Sequence, residues 1–192
     1  MTDVIEAPRG HLARWVALGV GAVVVALLVL FGTRNLSAPQ VKSPLLGKPV
    51  PAVAGTTTAG TKFDIGDHRG KWVLVNFFAS WCKECEIEHP QLERFANEHP
   101  SDTQLVSVAF DDAPKAAKAF FEKQGGSWPV LVGDTGGIAI SFGVTAVPET
   151  YLVAPDGTVA AKWIAPVTAE QVDNAIAQLE GSSGTSGAGG NS

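Results

Sequence analysis

The chain has 192 residues, 45% of them hydrophobic and 17% charged, with a formal net charge of −5. That length suits one well-cored domain plus extensions. The acidic balance, with no Lys/Arg cluster interleaved with aromatics, argues against nucleic acid as a partner.

From Trp15 to Thr33 run 19 consecutive uncharged residues, bracketed by Arg14 and Arg34. As a helix rising ~1.5 Å per residue they cover about 28 Å, close to the thickness of a hydrocarbon core. The run exceeds the roughly 7 to 15 apolar residues of a cleaved signal, and the best small-residue cleavage position, Ala38, is followed by Pro39. The expectation is a single-pass protein of the cell membrane. Residues 1–14 form a cytoplasmic tail, 15–33 a transmembrane helix, 34–46 a linker, 47–180 a folded domain outside the cytoplasm, and 181–192 a disordered tail. Basic residues flank both ends of the span (Arg9 and Arg14 against Arg34, Lys42 and Lys48). Orientation therefore rests on the short tail before one early span, with every foldable segment after it. Pro39, Pro44 and Pro49 suit an extended tether, and "GSSGTSGAGGNS" at the C-terminus has no apolar surface to bury.

Within the folded region, "PAVAGTTTAGTKFDI" (51–65) suggests a small hairpin, and "WVLVNFF" (72–78) reads as a fully buried strand. Residues 83–97 carry Ile87, Leu92, Phe95 and Ala96 among charges and predict a helix beginning near Cys82. "TQLVSVAF" (103–110) is a second buried strand, and 113–126 a helix closed by glycines. "ETYLV" (149–153), the "APDG" turn and "TVAAKWI" (158–164) form a hairpin, and Thr168 with Gln171 is a capping box opening a last helix. The order β-α-β-α, short elements, β-β-α implies parallel strands joined by right-handed crossovers, then an antiparallel hairpin and a closing helix.

Both cysteines of the chain, Cys82 and Cys85, lie in "FFASWCKECEIEHP". Two cysteines do not complete a structural zinc site, and His89, His99 or His68 would make only a weak metal constellation. A disulfide across two intervening residues closes almost no loop entropy. A redox pair fits better: at the first turn of a helix, unpaired N–H groups and the macrodipole favour a thiolate on Cys82, the attacking thiol, and Cys85 one turn on resolves the mixed disulfide.

"NFFASWCKEC" with Pro90 beyond it, and "GVTAVPETYLVAPDGTV" (143–159), resemble the thioredoxin fold, specifically its membrane-anchored TlpA/ResA/DsbE branch that serves cytochrome c maturation. The resemblance runs from about residue 47 to 179. It implies an α/β fold, a central mixed sheet flanked by helices, with an added N-terminal hairpin and one preceding transmembrane helix. By resemblance Pro148 is a cis-proline opposite the cysteines, turning the Val147 backbone toward Cys82 to pair with an incoming peptide, and Pro90 is a kink in the active-site helix. Plain thioredoxins carry a buried Asp six residues before the nucleophile; here it is Asn76, which takes up no proton. Glu88 matches a glutamate that the anchored branch keeps near its cysteines, and Glu149 adjoins Pro148. Either is placed to exchange a proton with Cys85. The expected catalytic residues are thus Cys82, Cys85, Pro148 and Glu88, and the substrate-binding ones Trp81, Val147 and Glu149. No metal and no cofactor beyond the Cys82–Cys85 disulfide is expected.

The implied activity is reduction of protein disulfides, apocytochrome c among them, with recharging by a membrane electron carrier of the CcdA/DsbD type. Glu84, Glu86 and Glu88 oppose a thiolate on Cys82 and favour a reductant. Ala146, where the maturation reductases usually have Gly, and Lys83-Glu84, which lacks Pro, depart from the pattern at positions that touch partner choice. Two other readings stay open: a disulfide-forming oxidase, and a copper or haem chaperone using Cys82, Cys85 and His89, although copper chaperones of this fold space their cysteines by three. A peroxidase would place Thr or Ser at 79 and Pro at 75, where Ala79 and Val75 stand.

Overall fold

The computed structural model describes residues 11–32 and 40–185; the extreme N-terminal tail, the stretch 33–39 with Ala38, and 186–192 lie outside the described residues. The chain divides into two compact units, Met1–Leu36 and Ser37–Ser192. The first contains helix α1 (His11–Gly32). Its side chains are described from Trp15 to Leu27, and all of these are exposed. Among the described residues no helix is long and apolar enough to cross a membrane.

The second unit is built on one seven-stranded sheet: β1 (Ala54–Thr57), β2 (Lys62–Asp64), β3 (Trp72–Phe78), β4 (Thr103–Ala109), β5 (Val130–Val132), β6 (Glu149–Val153) and β7 (Val159–Ile164), in the order β2-β1-β5-β4-β3-β6-β7. Helices α2 (Lys83–Glu98), α3 (Pro114–Gln124), α4 (Gly136–Phe142) and α5 (Ala169–Thr185) complete it. Strands β3, β4 and β5 are parallel, whereas β6, β7 and the β1–β2 hairpin join antiparallel. This is the expected mixed thioredoxin-like sheet, with the added hairpin fused to its β5 edge.

Strand β3 explains the layering. All seven of its residues are buried, and successive side chains point to opposite faces. Val73, Val75 and Phe77 join Phe142, Tyr151 and Val153 on one side. Trp72 and Leu74 meet Leu92 and Phe95 of α2, Trp163 and Val172 on the other. A strand covered on both faces needs the near-continuous apolar run found here. Position 76 is the exception, and its amide faces α2.

Helix α2 continues through Pro90 to Glu98; the proline ring leaves the carbonyl one turn earlier without its helical donor. Residues 130–142, read only as short elements, form β5 and α4, the latter stopped by Gly143 in the left-handed conformation (φ 67°). The Thr168–Gln171 capping box is present, Gln171 N donating to Thr168 Oγ1 at 3.3 Å and Thr168 N to Gln171 Oε1 at 2.9 Å.

Two boundaries differ from expectation. Residues 40–46, expected as linker, pair with edge strand β7: Val41 N donates to Lys162 O and Gly47 N to Val159 O. An exposed edge with unpaired N–H and C=O groups is satisfied this way. At the other end α5 runs to Thr185, so 181–185, expected as disordered, is helical; a helix capped at Thr168 and docked through Val172 and Ala175 propagates past its last apolar contact at Leu179.

Candidate active site

The cysteines sit where β3 ends and α2 begins. Asp112, beyond β4, accepts from Ser80 N (2.6 Å) and Ser80 Oγ (3.0 Å), and fixes the turn. Trp81 Nε1 donates to Asp111 O at 3.1 Å, leaving the indole 63% exposed beside the cysteines. Cys82 is the N-cap of α2: its backbone is extended and its Sγ accepts from Cys85 N at 3.2 Å. A helix N-terminus has N–H groups without intrahelical partners, and here one of them is aimed at the sulfur. Cys82 and Cys85 are joined as a disulfide with Cα atoms 5.3 Å apart. Both are buried, packed with Phe78, Ala79, Ala109, Ala117 and Val130.

Facing them is the loop before β6. The Val147–Pro148 peptide is cis, as the resemblance implied. The Val147 carbonyl oxygen lies 3.6 Å from Cys82 Sγ, and Ala165 N donates to Pro148 O at 3.1 Å.

Glu88, one turn after Cys85, is only 1% exposed. Its carboxylate accepts from Asn76 Nδ2 (2.8 Å), Val167 N (2.9 Å) and Thr150 Oγ1 (3.5 Å), and among the described residues no cation forms an ion pair with it. Burial pushes its pKa up to about 7, against the pull of those three donors. Asn76 also donates to Thr150 Oγ1 at 3.0 Å and accepts from Ser107 Oγ at 3.3 Å, which in turn accepts from Trp128 Nε1 at 2.8 Å. Asn76 therefore takes up no proton itself and orients the Glu88 carboxylate.

Glu149 is as buried, at 2%, on the opposite face of the sheet. Lys162 Nζ lies 2.7 Å from its Oε2, Tyr151 OH lies 3.3 Å from the same oxygen, and Thr145 N reaches Oε1 at 3.5 Å. Burial depresses the Lys162 ammonium, but its bonds to Glu149 and Tyr151 outweigh this and leave its pKa raised. The other expected acids also separate. Glu86 is salt-bridged to Lys83 (2.6 Å) and Lys123 (3.2 Å), and the hydrogen bonds from Lys83 and then Lys123 hold its pKa down at about 2. Glu84, expected to oppose a thiolate on Cys82, places Oε2 4.0 Å from Cys82 Sγ.

His89 does not complete a metal constellation. Its Nε2 is engaged with Gly125 O at 3.0 Å and its ring packs against Phe120, Phe121 and Trp128; burial lowers its pKa. Among the described residues no group of three His, Cys, Asp or Glu side chains is placed to hold a metal ion. Sequence reasoning missed Asp112 and Lys162. The second was findable: folding the hairpin about its "APDG" turn pairs Tyr151 with Lys162, which puts the ammonium on the Glu149 face.

Known proteins resemble this chain in sequence and fold. A thiol-disulfide oxidoreductase named ResA from Bacillus thuringiensis is 28% identical over 162 residues, spanning 81% of this chain and 94% of its own. The thiol:disulfide interchange protein HelX of Rhodobacter capsulatus is 33% identical over 140 residues, spanning 70% and 77%. The crystal structure of the thioredoxin domain of a thiol-disulfide oxidoreductase from Bacteroides vulgatus superposes with a TM-score of 0.63 at 25% identity, over 71% of this chain and 99% of its own. Residues 46–162 match the AhpC/TSA family, and the chain belongs to that family as one of its thiol-disulfide oxidoreductases.

Proposed function

We propose that this chain is a membrane-anchored, extracytoplasmic reductant of protein disulfides, acting on apocytochrome c during cytochrome c maturation and recharged by a membrane electron carrier of the CcdA/DsbD type. The dithiol form begins the cycle. Cys82 Sγ attacks a target disulfide, forming a mixed disulfide and releasing one target thiolate. Cys85 then passes its proton to Glu88 and attacks Cys82 Sγ, closing the Cys82–Cys85 disulfide and releasing the second thiolate. The target gains two electrons and the cysteine pair loses two. Val147 offers its carbonyl beside Cys82 for main-chain pairing with the target, in the manner of an added strand.

The observation that carries the reducing direction is the surroundings of Cys82: a sulfur buried with Cys85 at the start of α2, a Glu84 carboxylate oxygen 4.0 Å from it as a smaller contribution, and the neighbouring Lys83 ammonium committed to Glu86. A carboxylate near a nascent thiolate raises the thiol's pKa, as does burial, and both oppose the helix N-terminus. Less thiolate stabilisation means a less stable dithiol and a more reducing pair. The membrane assignment is supported by the uncharged run 15–33 and the exposure of every described side chain of α1. The cytochrome role is supported by the sequence resemblance.

The test is incubation of the dithiol protein with a disulfide-bonded Cys-x-x-Cys-His peptide, together with Cys85→Ala and Cys82→Ala variants. The peptide is reduced, Cys85→Ala accumulates a mixed disulfide and Cys82→Ala does not. Oxidation of the reduced peptide by the disulfide form, with no reaction in the other direction, would make this a disulfide-forming enzyme.

A further inference from the structure

The loop that faces Cys82 is held from behind. Its tip, Ala146, is exposed, yet its Val147 carbonyl must stand at a fixed height over the sulfur for a peptide to be aligned there. Two bonds tie its stem to one buried cluster. Tyr151 OH donates to Phe142 O at 2.8 Å, at the end of α4, and Thr145 N reaches Glu149 Oε1. Glu149 itself follows Pro148 directly. Lys162 completes the cluster, with Nζ 2.7 Å from Glu149 Oε2 and 4.9 Å from the centroid of the Tyr151 ring. All of this lies on the face of the sheet away from Glu88.

A buried ion pair is a poor source of stability, since apolar side chains of similar volume often serve as well or better, and its best-attested use is to specify one arrangement. We propose that Lys162 is a positioning residue for exchange with protein disulfides: by fixing Glu149, and through it Thr145 and Tyr151, it sets the Pro148 loop against Cys82. Glu149 is then part of that clamp and not a proton carrier for Cys85. The inference rests on thiol-disulfide exchange at Cys82, not on its direction.

The experiment compares two disulfides on the full chain in detergent. One is the disulfide-bonded Cys-x-x-Cys-His peptide, which has a backbone to pair with the loop; the other is hydroxyethyl disulfide, which has none. The variants are the neutral double Glu149→Gln/Lys162→Met, which leaves no unpaired buried charge, and Tyr151→Phe, which keeps the ion pair but releases Phe142 O. For the double variant the second-order rate with the peptide falls about tenfold, the scale of a modest misplacement of reacting groups. The rate with hydroxyethyl disulfide stays within about twofold, the change being confined to alignment. Amide hydrogen exchange rises over 143–147 while β3 keeps its protection. Tyr151→Phe gives the same pattern at smaller amplitude. An equal fall with both disulfides, an unchanged peptide rate, or loop protection that does not change overturns the proposal. So does a double variant that fails to fold while Tyr151→Phe leaves both rates unchanged, because the cluster is then structural only.

Discussion

Two glutamates lie equally deep on opposite faces of one sheet, and they have different chemistry. Glu88 is met only by neutral donors, so burial dominates and its proton is held up to about pH 7. Glu149 is met by the Lys162 ammonium and stays in a fixed ion pair. Burial without a countercharge is what raises the Glu88 carboxyl. The first glutamate is suited to exchanging a proton with Cys85 near neutral pH, the second to holding backbone in place.

The largest way to break this contrast is to remove the cation. Lys162→Met leaves Glu149 buried and unpaired and should cost about 3 to 5 kcal/mol of stability; adding Glu149→Gln should recover most of it. Denaturant unfolding of the three proteins measures this, and a mild single variant would mean that Glu149 is not held as a carboxylate.

The opposite is expected of Glu88. Folding raises its carboxyl from 4.5 to about 7, so the folded state binds this proton more tightly than the unfolded chain. The stability this provides is full below pH 4.5, is lost as pH rises from there through about 7, and changes no further above. The whole span is worth about 3 kcal/mol. Glu88→Gln should therefore be more stable than wild type at pH 8, with no advantage at pH 4. It should also slow resolution of the mixed disulfide by about a hundredfold and abolish the rise of that step near pH 7. Unfolding at the two pH values and single-turnover release of peptide read the two effects separately.

The smallest effect sharpens the picture at the sulfur. Glu84→Gln removes an exposed charge at 4.0 Å from Cys82 Sγ. It should raise the reduction potential by at most about 20 mV, the equivalent of about 1 kcal/mol for a surface pair, and less in high salt.

Much of this was legible before folding, for local reasons. The apolar run 72–78, the Cys-x-x-Cys at a helix start and the Thr168 capping box are signals carried within a few residues, and each element formed where expected. Glu88 was placed near the cysteines, but its depth depends on Asn76, Thr150 and Val167, which are distant in sequence. The Glu149–Lys162 pair needs the hairpin register, and the pairing of residues 40–46 with β7 needs the sheet to reveal an open edge. The three acids near Cys82 are alike in sequence but not in the fold: Glu86 is neutralised by Lys83 and Lys123, Glu88 is protonated below about pH 7, and Glu84 is the acid beside the sulfur.

The reducing assignment stands or falls on the equilibrium between this cysteine pair and glutathione, read together with the ultraviolet absorbance of the Cys82 thiolate across pH. A carboxylate beside a buried sulfur predicts a potential more negative than about −260 mV, below the glutathione range of about −220 to −260 mV, with a Cys82 thiol that is not acidic. A potential near about −120 mV, the range of strong periplasmic oxidants, with a thiol ionised well below neutral pH, would mean that the helix N-terminus outweighs Glu84 and burial, and that the protein makes disulfides instead of breaking them.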